Sequence, residues 1–305
     1  MTKNLIPLLL IMAAALSSCK KSQFNYPDTH KVDTVDEYFG TKVADPYRWL
    51  ENDTAQQVEQ WIEAQNEVTF SYLKNIPYRD KITQRLKEIW NYERMGVPNQ
   101  EGERYFFFKN DGLQDQSILY MKETLQAEPQ VVIDPNKLSE DGSVALMDYA
   151  VSGEGKYLAY AISRGGSDWR EVYVLNLENR EKLEDHLKWI KFSNVAWYQD
   201  GFFYSRYEKP GEGEELSQAN KNHKVYYHQL GTPQSEDQLI FHKPEHPQRN
   251  YSPNVSGDDK YLYIYETRST HGNNVYIKNL ENDGAFVKLT TGFQYEYNII
   301  DHLGD

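Results

Sequence analysis

Few places in this chain could carry metal, nucleophilic or lipid chemistry. His242-Lys243-Pro244-Glu245-His246 sets two histidines four apart with a glutamate between them. A zinc site of the H-E-x-x-H type needs both imidazoles on one helix face. Pro244 breaks any helix there and Glu245 stands in the wrong slot, so these read as surface histidines. Gly165-Gly166-Ser167-Asp168-Trp169 comes closest to the G-x-S-x-G turn that presents a nucleophilic serine, but it lacks the closing glycine and reads as a loop. Ser256-Gly257-Asp258-Asp259 lacks the further oxygen ligands of a calcium loop, and its two aspartates read as turn residues. No metal site is expected. The chain has one cysteine, Cys19, so it can form no intramolecular disulfide.

The elements that would position any site are mostly strands. Arg104 to Tyr120 reads as two strands around a turn: Tyr105 to Phe108 is aromatic, Asn110-Asp111-Gly112 is a hairpin signal, and Ser117 to Met121 returns. The opening strand recurs at Lys156-Tyr157-Leu158, Gly201-Phe202-Phe203 and Lys260-Tyr261-Leu262. The closing strand recurs at Val172-Tyr173-Val174, Val225-Tyr226-Tyr227 and Val275-Tyr276-Ile277. A loose repeat of roughly 50 residues built from short strands and turns is the signature of a β-propeller blade. Four such units are expected, ending near Leu289, with a fifth opening at Phe293 to Tyr297. Four units and a stub leave sheet edges and apolar faces unpaired, so the chain is expected to be part of a longer one.

Before the repeats, two helices are expected. One starts at Thr54, with a Thr54–Gln57 capping box, and stops at Asn75-Ile76-Pro77. The other starts near Asp80 and stops before Gly96-Val97-Pro98. Trp61, Ile62, Ile82, Leu86, Ile89 and Trp90 keep helical spacing and are expected in a core. The segment is too short to be a comfortable domain and is expected to pack on something else. Aromatics make up 14% of the chain, in keeping with a sheet protein. The net charge of −13 repels phosphate backbones and argues against nucleic-acid binding.

Lys3 and the apolar run from Leu5 to Leu16 form a signal-type start too short to span a bilayer. Leu16-Ser17-Ser18-Cys19 resembles a bacterial lipobox. That resemblance implies cleavage before Cys19, lipidation of Cys19, and an exported lipoprotein anchored in a bacterial cell envelope. The organisation expected is a signal over 1–19, a tether over 20–25, a helical segment over 26–92 and a partial β-propeller over 93–305.

Several blocks then resemble the prolyl oligopeptidase family. They are Tyr26-Pro27-Asp28, Asp45-Pro46-Tyr47-Arg48-Trp49-Leu50-Glu51, the Arg104 to Tyr120 stretch, Asp134-Pro135-Asn136 with Leu138 to Gly142, and Gly166-Ser167-Asp168-Trp169. The resemblance covers residues 26–305 and rests on the blocks in order, none being decisive alone. Oligopeptidase B shares a similar Asp-Pro-Tyr-x-Trp-Leu block. The resemblance implies a two-domain serine peptidase: a seven-bladed propeller inserted in an α/β-hydrolase domain on which the N-terminal helices pack. It implies hydrolysis of short peptides after proline by a Ser-Asp-His triad, with no metal or organic cofactor. The triad is expected beyond Asp305, which leaves these 305 residues inert alone. The remaining hydrolase portion is then the partner of the helical segment.

Within the resemblance, Phe192 falls where the family places an aromatic of the distal substrate pocket, against a plain reading as blade core. Arg268 lies near a cavity-facing arginine of the family, with the alignment slipping by about one residue there. Asn250 falls where a methionine is usual. The competing reading is a non-catalytic, lipid-anchored propeller that binds peptides or glycans.

Overall fold

In the computed structural model the described residues are 24–211, 213–215, 218–282 and 284–303; Cys19 and the expected 1–19 signal lie outside them. The chain divides into two compact units, one ending at Ile89 and one beginning at Trp90.

The first unit opens with a hairpin, β1 (Val35–Tyr38) and β2 (Thr41–Ala44), in which Tyr38 pairs with Thr41. Its two-residue turn, Phe39-Gly40, has φ of 52° and 81°, the left-handed pair that matches strand twist. Two helices follow, α1 (Gln56–Lys74) and α2 (Arg79–Trp90). The expected capping box does not form. Ala55 holds the N-cap position, and the Thr54 hydroxyl bonds Asn52 Oδ1 at 3.0 Å instead. The indole of Trp61 donates to Thr29 Oγ1, and that of Trp49 donates to the His30 carbonyl while its ring stacks on His30 at 4.1 Å. Val58 is the one apolar side chain fully buried among the described residues of this unit. Ile62, Ile82, Leu86, Ile89 and Trp90, expected in a core, are about half exposed. An apolar helix stripe is buried only by a facing layer, and a unit of this size supplies none.

The second unit is a run of antiparallel sheets, each a meander in chain order. The first holds β3 (Arg94–Met95), β4 (Asn99–Glu101), β5 (Arg104–Asn110), β6 (Ile118–Lys122) and β7 (Gln130–Ile133). Strands β3 and β4 both pair with β5 and act as one edge strand broken at Pro98, which has no N–H to donate. The second holds β8 (Val144–Val151), β9 (Tyr157–Arg164), β10 (Arg170–Asn176) and β11 (Lys182–Ile190). The third holds β12 (Ala196–Tyr198), β13 (Gly201–Arg206), β14 (Lys224–Gln229) and β15 (Gln238–Phe241). The fourth holds β16 (Asn250–Val255), β17 (Tyr261–Thr267), β18 (Asn273–Asn279) and β19 (Val287–Lys288). The repeated strand pairs seen in the sequence are the two middle strands of each sheet, and the mainly β, blade-type architecture is as expected.

Two local expectations are corrected. Asn110-Asp111-Gly112 makes no tight hairpin, because β5 and β6 are joined by residues 111–117. Asn110 is buried and organises that loop: its Oδ1 accepts from Gly112 N and Arg94 Nη2, and its Nδ2 donates to the Gln114 carbonyl. Residues 293–299 form no strand. They are stitched to sheet four through Asn273, whose N donates to Tyr295 O while its amide exchanges bonds with Tyr297.

Consecutive sheets pack face to face, and each core lies between two sheets. Phe106 and Leu119 of sheet one meet Leu158, Tyr160 and Ile162 of β9. The opposite face of β9 offers Ala159 and Ala161, with Tyr157 at its end, and the two alanines receive Phe202, Tyr204 and Tyr226 of sheet three. Phe203 and Val225 in turn meet Tyr251, Leu262 and Ile264 of sheet four. Between sheets two and three lies a fully buried charge cluster. His228 Nδ1 is 2.7 Å from Asp237 Oδ1 and Nε2 is 2.9 Å from Asp185 Oδ1. Burial alone would lower the imidazole pKa, but the two carboxylates outweigh it and raise it to about 9.

The first-to-second strand turns of sheets two and four share one design. In Ser152–Tyr157 and Ser256–Tyr261 the serine hydroxyl accepts from the tyrosine N–H, at 3.0 and 2.9 Å. The left-handed position is Gly155 in one (φ 70°) and Asp259 in the other (φ 62°). Gly155→Ala should therefore cost about 1 kcal/mol, since no neighbour crowds a Cβ there and the penalty is backbone alone. Asp259→Gly should cost nothing. Urea midpoints check both, and a loss for Asp259→Gly as large as for Gly155→Ala would refute the equivalence.

Candidate functional site

Antiparallel alternation puts two kinds of segment at one edge of every sheet: the loop between its middle strands and the connector to the next sheet. Phe192 sits in the connector from β11 to β12, and Arg268 in the loop from β17 to β18. Both therefore lie on the same edge of the sheet array.

The connector is locked from below. His223, fully buried, accepts the Tyr251 N–H at Nδ1 (2.9 Å) and donates from Nε2 to the Lys191 carbonyl (3.0 Å). Burial pushes its pKa down to about 3, so the ring is neutral and the Nε2–H tautomer is fixed by these two partners. Ser193 Oγ accepts from Ser205 N, and Asn194 Nδ2 donates to the Pro253 carbonyl. Phe192 is held with φ of 51° and its side chain is 54% exposed. A left-handed bulky aromatic is costly and persists only where the surroundings impose it. Here they do, and the ring is turned out of the blade core.

An aromatic and cationic patch flanks Phe192. Lys191 Nζ lies 3.9 Å over the Trp169 ring, and Trp169 meets Trp189 and Tyr207 edge to face. Tyr207 stacks near His223 at 4.4 Å and donates its hydroxyl to Asn250 Oδ1. On the other side, Arg268 and Arg249 both stand over Phe293, at 5.0 and 5.1 Å. Arg249 is committed to the buried Glu266 carboxylate at 2.7 Å. Arg268 is exposed and has no carboxylate partner among the described residues.

Phe192 and Arg268 are linked only indirectly, through β16. The Ser252 hydroxyl approaches the Phe192 carbonyl at 3.5 Å, and Asn250 pairs across the ladder with Thr267, next to Arg268. No hydrogen bond, ion pair or ring contact joins the two among the described residues. Sequence reasoning missed Lys191, Tyr207, His223, Arg249 and Phe293. Their association is long-range and no local spacing signals it. Trp169 was visible only as part of a family block.

The other chemistry-bearing motifs fall out as turns. Ser167 Oγ accepts from Trp169 N inside its own loop. His242 to His246 is non-helical, and no cluster of metal-ligating side chains occurs among the described residues. Asp258 accepts from Ser256 Oγ, Lys260 N and His302 Nε2, which hold its carboxyl down at about 2. No serine hydroxyl is hydrogen-bonded to a histidine among the described residues. The edge can thus recognise apolar, aromatic and anionic groups, and among the described residues it presents no activated nucleophile.

A family profile described as "Prolyl oligopeptidase, N-terminal beta-propeller domain" matches residues 27–305. The prolyl endopeptidase of Elizabethkingia meningoseptica is 43% identical over 293 residues, covering 96% of this chain and 41% of that protein. The dual function macrocyclase-peptidase POPB of Galerina marginata is 33% identical, covering 95% of this chain and 44% of that protein. Among solved structures, prolyl oligopeptidase B from Galerina marginata bound to a 35mer hydrolysis and macrocyclization substrate matches with a TM-score of 0.79 at 31% identity. That match covers 92% of this chain and 43% of the other. The chain therefore spans less than half the length of these relatives. With the profile matching residues 27–305, the chain belongs to the prolyl oligopeptidase family.

Proposed function

We propose that this chain is the propeller-bearing portion of a serine-type oligopeptidase that hydrolyses short peptides after proline. The observation that carries this reading is the match over residues 27–305 to relatives of which the chain spans only about two fifths. The sheet array and its loop edge filter and orient the peptide, with the outturned Phe192 as an apolar contact and the unpaired Arg268 as a cationic one. The triad and oxyanion donors belong to an α/β-hydrolase portion outside these 305 residues. The exposed stripe of α1 and α2 (Ile62, Ile82, Leu86, Ile89) is the surface on which that portion packs. The complete enzyme needs no metal or organic cofactor. Cys19 is its lipidation site and anchors it in a bacterial cell envelope.

The test is an extract of the source cells, separated by size and probed with an antibody against residues 54–90. The reactive species should lie in the membrane fraction at about twice the 35.8 kDa of this chain or more, and that fraction should cleave a chromogenic peptide after proline. The purified 305-residue chain should not cleave it. A native species no larger than this chain, without activity, would replace this reading with a lipid-anchored binding propeller. A soluble species would remove the anchor.

A further inference from the structure

Beside the loop edge, sheet two carries a half-open cavity of about 230 Å³. It is lined by the buried Ile162, by Trp169 and Trp189, by Ser167 and Glu171, and by the cations Arg164, Arg170 and Lys188. The two indoles meet edge to face, with ring centroids 5.6 Å apart. The Trp169 N–H is occupied, donating to the Glu215 carbonyl at 2.7 Å, so this residue offers the cavity its ring and no donor.

The charges around the cavity do not balance. Glu171 is the one carboxylate lining it, and its oxygens are taken. Oε2 meets the Tyr173 hydroxyl at 2.7 Å and His186 Nε2 at 2.6 Å, and Oε1 meets Arg164 Nε at 3.3 Å. Arg170, half-buried, and Lys188, exposed, have no carboxylate partner among the described residues. Lys191, which is buried and faces the Asp168 carboxylate, stands over the Trp169 ring. In a chain of net charge −13, two cations with no carboxylate partner among the described residues, beside an apolar, indole-lined cavity, are against the background. The chemistry they match is a carboxylate carried on a compact apolar body: the carboxylate pairs with the guanidinium and ammonium, and the body rests on the indoles and Ile162.

We propose that this cavity is a carboxylate subsite that takes the free C-terminal residue of a short peptide. Such a site tells the end of a peptide from its middle. The proposal leans on the peptidase reading only for the ligand being a peptide. Its test reads binding without cleavage, so either can fail while the other stands.

The experiment is a titration of the full chain followed by the indole N–H resonances of Trp169 and Trp189. The probes are N-acetyl-leucine, N-acetyl-leucine amide and N-acetyl-aspartate α-amide. N-acetyl-leucine should shift both resonances saturably, and less tightly as salt rises. The leucine amide should bind about tenfold more weakly, as should the parent acid to Arg170→Gln or Lys188→Gln. Equal binding of acid and amide, no saturable shift, or parent-like affinity in folded variants would overturn the site. If Arg170→Gln unfolds the sheet, the exposed Lys188→Gln carries the test alone. If N-acetyl-aspartate α-amide binds as tightly as N-acetyl-leucine, the site reads acidic side chains and the C-terminal assignment falls.

Discussion

His228→Leu should cost the second unit about 3–5 kcal/mol, which is a large share of a domain's stability. The imidazolium is sandwiched between Asp185 and Asp237, and all three side chains are excluded from water. Tyr204 adds a hydroxyl bond to Asp237 and Gly231 N donates to Asp185, so each carboxylate is held by a second hydrogen bond besides the imidazole. Removing the cation strands two buried negative charges. The pH dependence follows from the same cluster. The folded pKa of His228, about 9, stands above its unfolded value of roughly 6.5, so its stabilisation is complete below about pH 6.5 and is lost as pH rises through about 9. Asp185 is shifted the other way. Burial opposes ionisation, but the bonds from His228 and Gly231 prevail and lower its pKa. Its contribution is present above roughly pH 4 and fails as acid protonates it. Urea unfolding at pH 6 and pH 9.5 tests this. The parent should weaken between the two while the variant does not, and a variant within about 1 kcal/mol of the parent at pH 6 would show that the cluster contributes little net free energy.

Gly272→Ala should be the second severe change, at roughly 2–4 kcal/mol. Gly272 has φ of 73°, and a Cβ there would be driven into the Phe293 carbonyl. Part of the cost is the left-handed backbone. The rest is displacement of the strap 293–299, which Asn273 holds through its backbone and its amide and which His271 Nε2 meets at Gln294 O. The expected signature is local as well as global: amides of Asn273 and Tyr297 should exchange faster before the sheets unfold. Unchanged exchange at those two positions would mean that the strap does not depend on close approach at Gly272.

What the sequence displays is what is local. The middle strands of each sheet are runs of aromatic and branched residues, as in Phe106 to Phe108 or Tyr261 to Ile264, and their repetition is legible by eye. Edge strands such as β3 and β19 are two residues long and half polar, and they are visible only as partners. The Asn110-Asp111-Gly112 signal misleads because the asparagine side chain is spent inside a longer loop. Tyr295 and Tyr297 alternate like a strand, yet a side-chain amide from another segment captures that backbone. The His228 cluster draws on positions 185, 228 and 237 across two sheets, with no spacing that announces it. At the loop edge, Phe192 and Arg268 were found by resemblance. The His223 lock that turns Phe192 outward appears only when three sheets are in place.

The placing of cores between sheets has a consequence for how such a chain varies over generations. Ala159 and Ala161 are small because Phe202, Tyr204 and Tyr226 are large, and the pairs sit in different repeats. A bulkier residue at Ala159 must be answered by a smaller one at Phe202, or the seam is overfilled. The heritable unit is therefore the seam and not the repeat. Recombination that exchanges one whole repeat for another separates, on both of its faces, partners that drifted together.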